Sequence, residues 1–313
     1  MKHRLPLALL VFILAIIAPM GIYPIFLMQA LCFGLFAVSF NLLLGYAGLL
    51  SFGHAAFFGM ASYVVGHAMT RWGTTPEVAI LAGVAVAGAM GLVVGYIAIR
   101  RQGIYFAMVT LALAQMVFFF CLQAPFTHGE DGIQAIPRGA LFGLIPLDDT
   151  RTLYYFVLAI FGLGCWIVWR AVHSPFGHVL RAIRENEPRA TSLGYRTRHY
   201  KLTAFVLSAS LAGLAGGTKA LVFQLASLTD VDWHTSGVVV LMTLLGGMDT
   251  VLGPIAGAFV VTLIETKFSN AGDWVTILLG LIFVVVVLLF RKGLVGEALA
   301  FFERKKAGPN ASR

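Results

Sequence analysis

Apolar segments of about 20 residues recur along almost the whole chain, and they constrain its fold more than any other feature. The candidate spans are residues 5–20, 25–45, 52–70, 77–99, 104–124, 153–170, 202–224 and 274–290. Charged residues make up 12% of the chain, against about 25% in soluble domains, and the mean hydropathy is +0.88. The sequence therefore predicts an all-α polytopic membrane protein with about eight full spans.

The basic residues indicate how these spans are oriented. Most of the 22 Lys and Arg residues lie in residues 2–4, 100–101, 170–201 and 291–313. Because such residues accumulate on the cytoplasmic side, we expect both termini in the cytoplasm of a bacterial inner membrane. The positions of these basic residues reflect the membrane topology, so no nucleic-acid partner is expected. A single crossing by residues 237–265 would place the basic C-terminal tail outside, which favours two short passes or a re-entrant hairpin there.

The N-terminal segment resembles a secretory signal, because Lys2 and Arg4 precede the apolar run from Leu5 to Ala18. The run is followed by Pro19-Met20-Gly21 rather than by a small-x-small cleavage site, and more apolar sequence comes at once. We therefore expect an uncleaved first span.

Glycine and proline interrupt two apolar stretches, which we call the first break (residues 45–54) and the second break (residues 246–254). Broken backbone at membrane depth is tolerated where protein or a water-filled cavity covers it, so we expect both breaks near a transport pathway. The candidate pathway residues are Asn41, Ser51, His54, Thr110, Gln115, Gly246 and Gly247. The polar side chains among them either line the pathway, or form hydrogen bonds to free backbone groups and to neighbouring helices. No second ligand stands at useful spacing from His54, so no metal site is predicted.

Other residues in the spans have structural interpretations. Glycines recur in the span 77–99, at Gly83, Gly88, Gly91 and Gly95, where they allow close helix packing and could contribute to a seam between subunits. Lys219 and Glu265 lie near helix ends, where we expect their charged groups to snorkel to water. The loop from Ala124 to Thr152 is rich in turn residues, and its acids Glu130, Asp131 and Asp149 either contact a docked protein or are simply solvated.

The segment from Ser174 to Lys201, called the basic loop below, is the longest charged insertion between spans. Phe176, Leu180 and Ile183 share one helical face, so a short amphipathic helix is predicted, with a second helix after Pro188 that stops near Gly194. Periodicity alone leaves open whether the helices lie on lipid or on a protein partner. The chain has no Walker A pattern, so an ATPase that drives it must be another chain.

Several motifs resemble those of one family. EPRATSLG, from Glu187 to Gly194, resembles the EAA-type loop with which ABC importer permeases contact their ATPases. The blocks FNLLLGYAGLLSFGHAAFFGMASY (40–63), GIYFAMVTLALAQM (103–116), THGEDGI (127–133) and LLGGMDTVLGPIAGA resemble branched-chain amino acid ABC permeases of the LivM kind. The resemblance extends from about residue 25 to residue 290. One departure is Asp249, where a small residue is expected.

The resemblance implies one transmembrane permease domain over residues 1–313, without catalytic residues or a cofactor of its own. Expected partners are a LivH-like permease, two cytoplasmic ATPases that bind ATP, a periplasmic binding protein and the lipid bilayer. The residues expected to couple the basic loop to the ATPases are Ser174, Phe176, Gly177, Leu180, Ile183, Arg184, Glu187, Ala190 and Gly194. Branched-chain amino acids are the default substrates. The alternatives are urea or short amides, aromatic acids, or a stand-alone channel or secondary carrier.

Overall fold

The computed structural model describes residues 18–21, 23–248 and 250–268, together with positions 277, 280–282, 284–285, 288 and 293–297. Most of the predicted first span, most of the predicted last span and Asp249 lie outside the described residues. The predictions about those segments, including the uncleaved first span, stay predictions.

The described residues are mainly helical. The α-helices are α1 (Pro24–Asn41), α2 (His54–Arg71), α3 (Pro76–Ala98), α4 (Ile104–Gln123), α5 (Thr150–Val172), α6 (Pro175–Glu185), α7 (Glu187–Ser192), α8 (Thr197–Phe223), α9 (Trp233–Gly246) and α10 (Leu252–Lys267). A π-helix, Leu42–Ala47, continues α1, and 3₁₀ turns occupy Ala18–Met20, Pro125–Thr127 and Leu228–Asp230. The two-residue strands are β1 (Ile133–Gln134), β2 (Ala140–Leu141), β3 (Ile145–Pro146) and β4 (Leu225–Ala226).

The prediction of an all-α polytopic membrane protein is confirmed. Among the described residues, five helices are long and apolar enough to cross a membrane, namely α1 with its π-helical extension, α3, α4, α5 and α8. The number of spans stays a prediction.

The centre of the bundle consists of α1, α2 and α8, whose side chains are mostly buried. Phe36, Phe58 and Phe205 are completely buried there. By contrast, α3, α4 and α5 expose large apolar side chains such as Leu81, Met116 and Trp166. These exposed residues fit a hydrocarbon environment or another subunit, because apolar surface of this extent is unfavourable in water.

Close helix packing at the glycines of α3 is confirmed, with Gly83 against α2 and Gly88, Gly91 and Gly95 against α8. A Cβ atom at Gly91 would lie 2.5 Å from the Ala209 side chain, and one at Gly95 would lie 2.9 Å from the Phe205 ring. The glycine with the higher residue number in α3 meets the residue with the lower number in α8, so the two helices are antiparallel. Small residues thus let these spans approach closely.

Residues 237–265 form a helical hairpin. Helix α9 ends at Gly246 and α10 begins at Leu252, so the chain turns at the second break. The helices have 14 and 16 residues, which gives them lengths of about 21 and 24 Å, less than the roughly 30 Å hydrocarbon core. At the turn, a Cβ atom at Gly246 would lie 1.8 Å from the carbonyl oxygen of Gly253. Both predicted arrangements, two short passes and a re-entrant hairpin, contain such a turn.

The helices alternate in direction, and the bundle has two chemically different ends. We call the end with the basic loop the loop end, and it also carries Arg100, Arg101 and Arg170. The opposite end carries the turns of residues 124–152, where β1 pairs with β4 through Ile133 and Ala226. Of the basic residues predicted to share one side, those at 100–101 and 170–201 are described, and they share one end of the bundle.

Lys219 differs from expectation. Its Nζ atom does not snorkel to water but lies 2.7 Å from both carboxylate oxygens of Asp230, and the two residues are 9% and 6% exposed. The turn Leu228–Asp230 folds back onto α8, and pairing there is favoured because an unpaired charge at this depth is costly. The spacing of the two residues in the sequence did not reveal this contact, because it depends on the direction of the turn.

Candidate functional site

The first break follows a π-helix. Helix α1 passes into Leu42–Ala47, and Gly48 then adopts a left-handed conformation with φ of 70°. The chain continues without regular structure until α2 begins at His54. π-Helical turns are rare and frequently occur at functional sites, because the inserted residue leaves backbone groups without their usual partners. The predicted location of this break is confirmed.

Polar side chains satisfy the backbone of the first break. The Thr110 hydroxyl accepts a hydrogen bond from the Phe52 amide at 3.2 Å, and the Ser51 hydroxyl accepts one from the Gly53 amide at 3.3 Å. The hydroxyl of Ser236, on α9, accepts one from the Ala55 amide at 2.9 Å. Ser51 and Thr110 thus serve the backbone in this conformation, one of the two uses considered for them. Ser236 was missed, and its only sequence signal is a hydroxyl within an apolar helix.

His54 lies in the core rather than in an open channel. Its Nε2 atom is 2.8 Å from the Ser208 hydroxyl, which in turn donates a hydrogen bond to the carbonyl of Ser39. The imidazole is completely buried among the rings of Phe40 and Phe57, at centroid distances of 5.4 and 5.5 Å. His54 therefore connects α2 with α8 and α1 in this conformation.

The two breaks contact each other although about 200 residues separate them. The Asn41 side-chain amide donates a hydrogen bond to the Thr250 carbonyl at 3.1 Å. A Cβ atom at Gly45 would lie 2.7 Å from the Met248 carbonyl oxygen, so only glycine fits against the second break there. Asn41, Gly246 and the two breaks are thus brought to one place at the loop end.

The basic loop folds as two short helices, as predicted. Leu180 and Ile183 are buried on the inner face of α6, and Ala190 is buried in α7. The Asn186 side chain caps α7 by accepting a hydrogen bond from the Arg189 amide at 3.0 Å. Pro188 lies in the first turn of α7, where its missing N–H costs nothing, so it starts the second helix.

The remaining expected loop residues hold the hairpin in place. Ser174 precedes α6, and the ring of Phe176 stacks on Tyr200 at 5.9 Å. A Cβ atom at Gly177 would lie 2.2 Å from the Val172 carbonyl oxygen, so α6 approaches the end of α5 closely. Gly194 has a φ of 88°, a conformation that suits glycine and ends the second helix.

The basic loop contacts the first break directly. Nη1 of Arg184 donates a hydrogen bond to the Gly45 carbonyl, one of the groups in the π-helical segment. The guanidinium of Arg181 lies 5.1 Å from the centre of the Tyr46 ring. Because Gly45 also touches the second break, this contact joins the hairpin to both breaks.

Glu187 fastens the loop from a second side. Its carboxylate lies 2.5 Å from Lys201 Nζ and accepts a hydrogen bond from the Gln102 side chain at 2.8 Å. Between these contacts and the first break lies a cleft of about 440 Å³, lined also by Gly48 and Gly103. The loop is thus held by these polar contacts together with the buried side chains of α6 and α7, and it borders an open space on one side.

Two expected site residues contribute little to this junction. Gln115 is half-buried on α4, about 7.5 Å along the helix axis from Thr110. Gly247 has a φ of 106° and ends α9 without a side chain to offer a ligand. Across the residues described here, no group of three or more His, Cys, Asp or Glu side chains could hold a metal ion.

The fold and this junction define a polytopic membrane protein in which an exposed helical hairpin contacts one helix break, and that break contacts a second one. A family model described as branched-chain amino acid transport system / permease component matches residues 22–289. The high-affinity branched-chain amino acid transport system permease protein LivM of Escherichia coli (strain K12) is 27% identical over 282 residues, covering 81% of this chain and 65% of the relative. LivM of Salmonella typhimurium is 28% identical over the same coverage.

A third relative has a different name. The autoinducer 2 import system permease protein LsrC of Klebsiella pneumoniae is 29% identical over 231 residues, covering 70% of this chain and 63% of the relative. The chain thus spans slightly less than two thirds of the length of these curated relatives. No solved structure shows significant similarity to it. The chain belongs to the family of branched-chain amino acid transport system permease components.

Proposed function

We propose that this chain is a permease subunit of an ABC importer that carries branched-chain or related amino acids by alternating access. Family membership and the two LivM relatives support the assignment. The relative named for autoinducer 2 import has a comparable identity of 29% over a shorter match of 231 residues, so identity at this level does not select the substrate. A LivH-like permease completes the pore, and a periplasmic binding protein delivers the substrate.

Two cytoplasmic ATPases bind the basic loop in this proposal. The loop end lies in the cytoplasm, where its arginines satisfy the positive-inside rule. Beyond α7 the side chains of Leu193 and Tyr195 are 71% and 41% exposed, which offers an apolar contact to a protein partner. The buried residues of α6 face the bundle, so the exposed side of the hairpin is free for the ATPases.

The contact between Arg184 and Gly45 carries the mechanism. When the ATPases close or open, they displace α6 and α7, and Arg184 transmits the displacement to the π-helical segment. Gly45 then moves against Met248, and Asn41 against Thr250, so both breaks respond together. The cleft beside Glu187 leaves open space along one side of the hairpin for this movement.

Uptake of labelled leucine tests the substrate. Cells carrying the complete transport system, with and without this chain, are compared in the presence of isoleucine, urea, or an aromatic acid as competitor. Loss of leucine uptake without the chain, with competition by isoleucine alone, is the expected result. Competition by urea or the aromatic acid would instead select one of the alternative substrates. Uptake that persists without the ATPases would indicate a channel or secondary carrier.

The Arg184→Ala variant tests coupling. In the assembled transporter we expect ATP hydrolysis to continue while uptake falls at least tenfold, because the hairpin no longer pulls on the first break. Arg170→Ala is the matched control, since Arg170 is an exposed arginine at the loop end outside the basic loop. Equal uptake by the two variants would contradict the proposed link.

Cysteine labelling tests the orientation. A cysteine at Arg138, at the opposite end, should react with an impermeant reagent from the periplasm, whereas one at Arg189, in α7, should react only from the cytoplasm. The reverse pattern would overturn the proposed topology without affecting the substrate assignment.

A further inference from the structure

Two arginines share one aromatic ring at the loop end, in contacts distinct from those of Arg184 and Glu187. The guanidinium carbon of Arg100 lies 4.9 Å from the centre of the Tyr96 ring, and that of Arg198 lies 4.7 Å from the same centre. The two cationic groups are therefore less than 10 Å apart. Tyr96 belongs to the last turn of α3 and Arg198 to the first turn of α8, so the antiparallel packing of these helices creates the arrangement.

The positive charge of this cluster is not neutralised by any acid among the described residues. Within the part of the chain that the structure describes, neither Arg100 nor Arg198 forms an ion pair with a carboxylate. Glu187, which also lies at the loop end, already forms an ion pair with Lys201. Like charges at this separation repel each other, and a bound anion relieves the repulsion.

The surroundings of the cluster fit a lipid better than a soluble anion. Tyr96 is 50% exposed at the end of an apolar span, the level at which tyrosine rings meet lipid headgroups. On the same helix, Val93 lies three residues before Tyr96 and Ile97 directly after it, and they are 61% and 46% exposed. An anion seated on the arginines would therefore have an apolar surface directly beside it, suited to acyl chains.

We infer that Arg100, Arg198 and Tyr96 form a binding site for the headgroup of an anionic phospholipid. The two guanidinium groups bind the phosphate, and Val93 and Ile97 contact the upper part of the acyl chains. Basic pockets between spanning helices bind anionic headgroups through the same chemistry. The site is independent of the transported substrate, and its occupation would hold the loop-end termini of α3 and α8 together.

Native mass spectrometry can test the site on the full-length chain. The protein is reconstituted in nanodiscs of equal parts phosphatidylglycerol and phosphatidylcholine, and the lipids retained after release are identified. We expect the wild type to retain phosphatidylglycerol selectively. Each arginine near a membrane surface contributes about fivefold to the affinity for anionic lipid, so Arg100→Gln/Arg198→Gln should reduce this retention about 25-fold.

The matched control is Arg101→Gln/Arg196→Gln, which removes two charges from neighbouring exposed residues. Equal loss of phosphatidylglycerol in the control and in Arg100→Gln/Arg198→Gln would mean that net charge alone attracts the lipid, and would overturn the site. Displacement of the lipid by inorganic phosphate at equal concentration would show a simple anion site and would also overturn it. Unfolding temperatures measured in phosphatidylcholine alone verify that the variants fold.

Discussion

The two ends of the bundle are held together differently. At the loop end, the basic loop is fastened by Arg184, by the buried side chains of α6 and α7, and by the partly buried ion pair of Glu187 and Lys201, beside a cleft of about 440 Å³. At the opposite end, the buried pair of Lys219 and Asp230 fixes the connection between α8 and α9. The pairing of β1 with β4 and hydrogen bonds between Gln224 and Ile136 close that end.

This difference suggests that the two ends have different roles during transport. The polar contacts of the loop end border an open cleft, so α6 and α7 have space on one side into which they can shift. At the opposite end both members of the ion pair are buried, whereas Glu187 keeps 22% of its side chain exposed, so breaking the pair of Lys219 and Asp230 is the more costly change. We therefore expect the loop end to move during transport and the opposite end to act as a fixed frame for the helices.

Breaking the buried pair should have the largest effect. Lys219→Met leaves the Asp230 carboxylate buried without its counter-ion, which should lower the free energy of unfolding by about 3–5 kcal/mol. Thermal unfolding in detergent, followed by tryptophan fluorescence, measures the loss. Lys219→Met/Asp230→Asn should recover much of it, because the unpaired charge is gone while a polar group can still cap the turn. An unchanged unfolding temperature for Lys219→Met would contradict the idea of a rigid opposite end.

A substitution within α9 should have the next largest effect. A Cβ atom at Gly246 would lie 1.8 Å from the Gly253 carbonyl oxygen, so Gly246→Ala must force α9 and α10 apart and should cost about 1–3 kcal/mol. The matched control is Gly237→Ala in the same helix, where no other atoms lie within 4 Å. That change should be neutral or stabilise the helix by up to about 1 kcal/mol. Similar unfolding temperatures for both variants would contradict close packing at the second break.

The sequence predicted the two breaks and the loop helices, but it did not predict the contacts between them. Both breaks were predicted, because glycine and proline interrupt apolar stretches, and the two helices of the basic loop followed from periodicity and Pro188. The contact between Gly45 and Met248 could not be predicted, since it depends on how distant helices pack. The same holds for Arg184, which was selected by family resemblance without its acceptor at Gly45.

The polar residues of the first break illustrate the same limit. Sequence left open whether Ser51 and Thr110 line a pathway or satisfy the backbone, because both uses need the same hydroxyl group. The structure brings each hydroxyl to a specific amide, and it adds Ser236 from a helix that begins about 180 residues later. A hydroxyl in an apolar helix carries no information about which backbone group it will meet.

Reversing the ion pair of Glu187 and Lys201 should affect transport more strongly than stability. Glu187→Lys places two positive charges together and loosens the basic loop, but the expected loss of unfolding free energy is smaller than for Lys219→Met, because Glu187 keeps 22% of its side chain exposed and the new lysine can turn towards water. Uptake should fall strongly while ATP hydrolysis persists. The exchange Glu187→Lys/Lys201→Glu restores opposite charges and should recover part of the uptake. Normal uptake by Glu187→Lys would remove the loop from the proposed mechanism.

The smallest effect should come from an exposed helix cap at the opposite end. Hydrogen bonds from the Thr152 amide and hydroxyl lower the pKa of Asp149, at the start of α5, below its ordinary value of 3.8. The lowered pKa means that the charged cap stabilises the fold above about pH 4 and that this contribution is lost as the pH falls further. Asp149→Asn keeps a capping oxygen that does not titrate. The difference in unfolding temperature between wild type and variant should therefore shrink or reverse in acid.

The matched control for this cap is Asp148→Asn, which removes the same charge one residue earlier. Its difference from the wild type should lack the acid-dependent change that Asp149→Asn shows, because the Thr152 groups bind Asp149. A constant difference for Asp149→Asn down to about pH 3 would mean that the hydrogen bonds do not favour the charged carboxylate. In that case the charge of Asp149 would not stabilise the start of α5. The stability of the opposite end would then depend on the buried ion pair and the strand pairing.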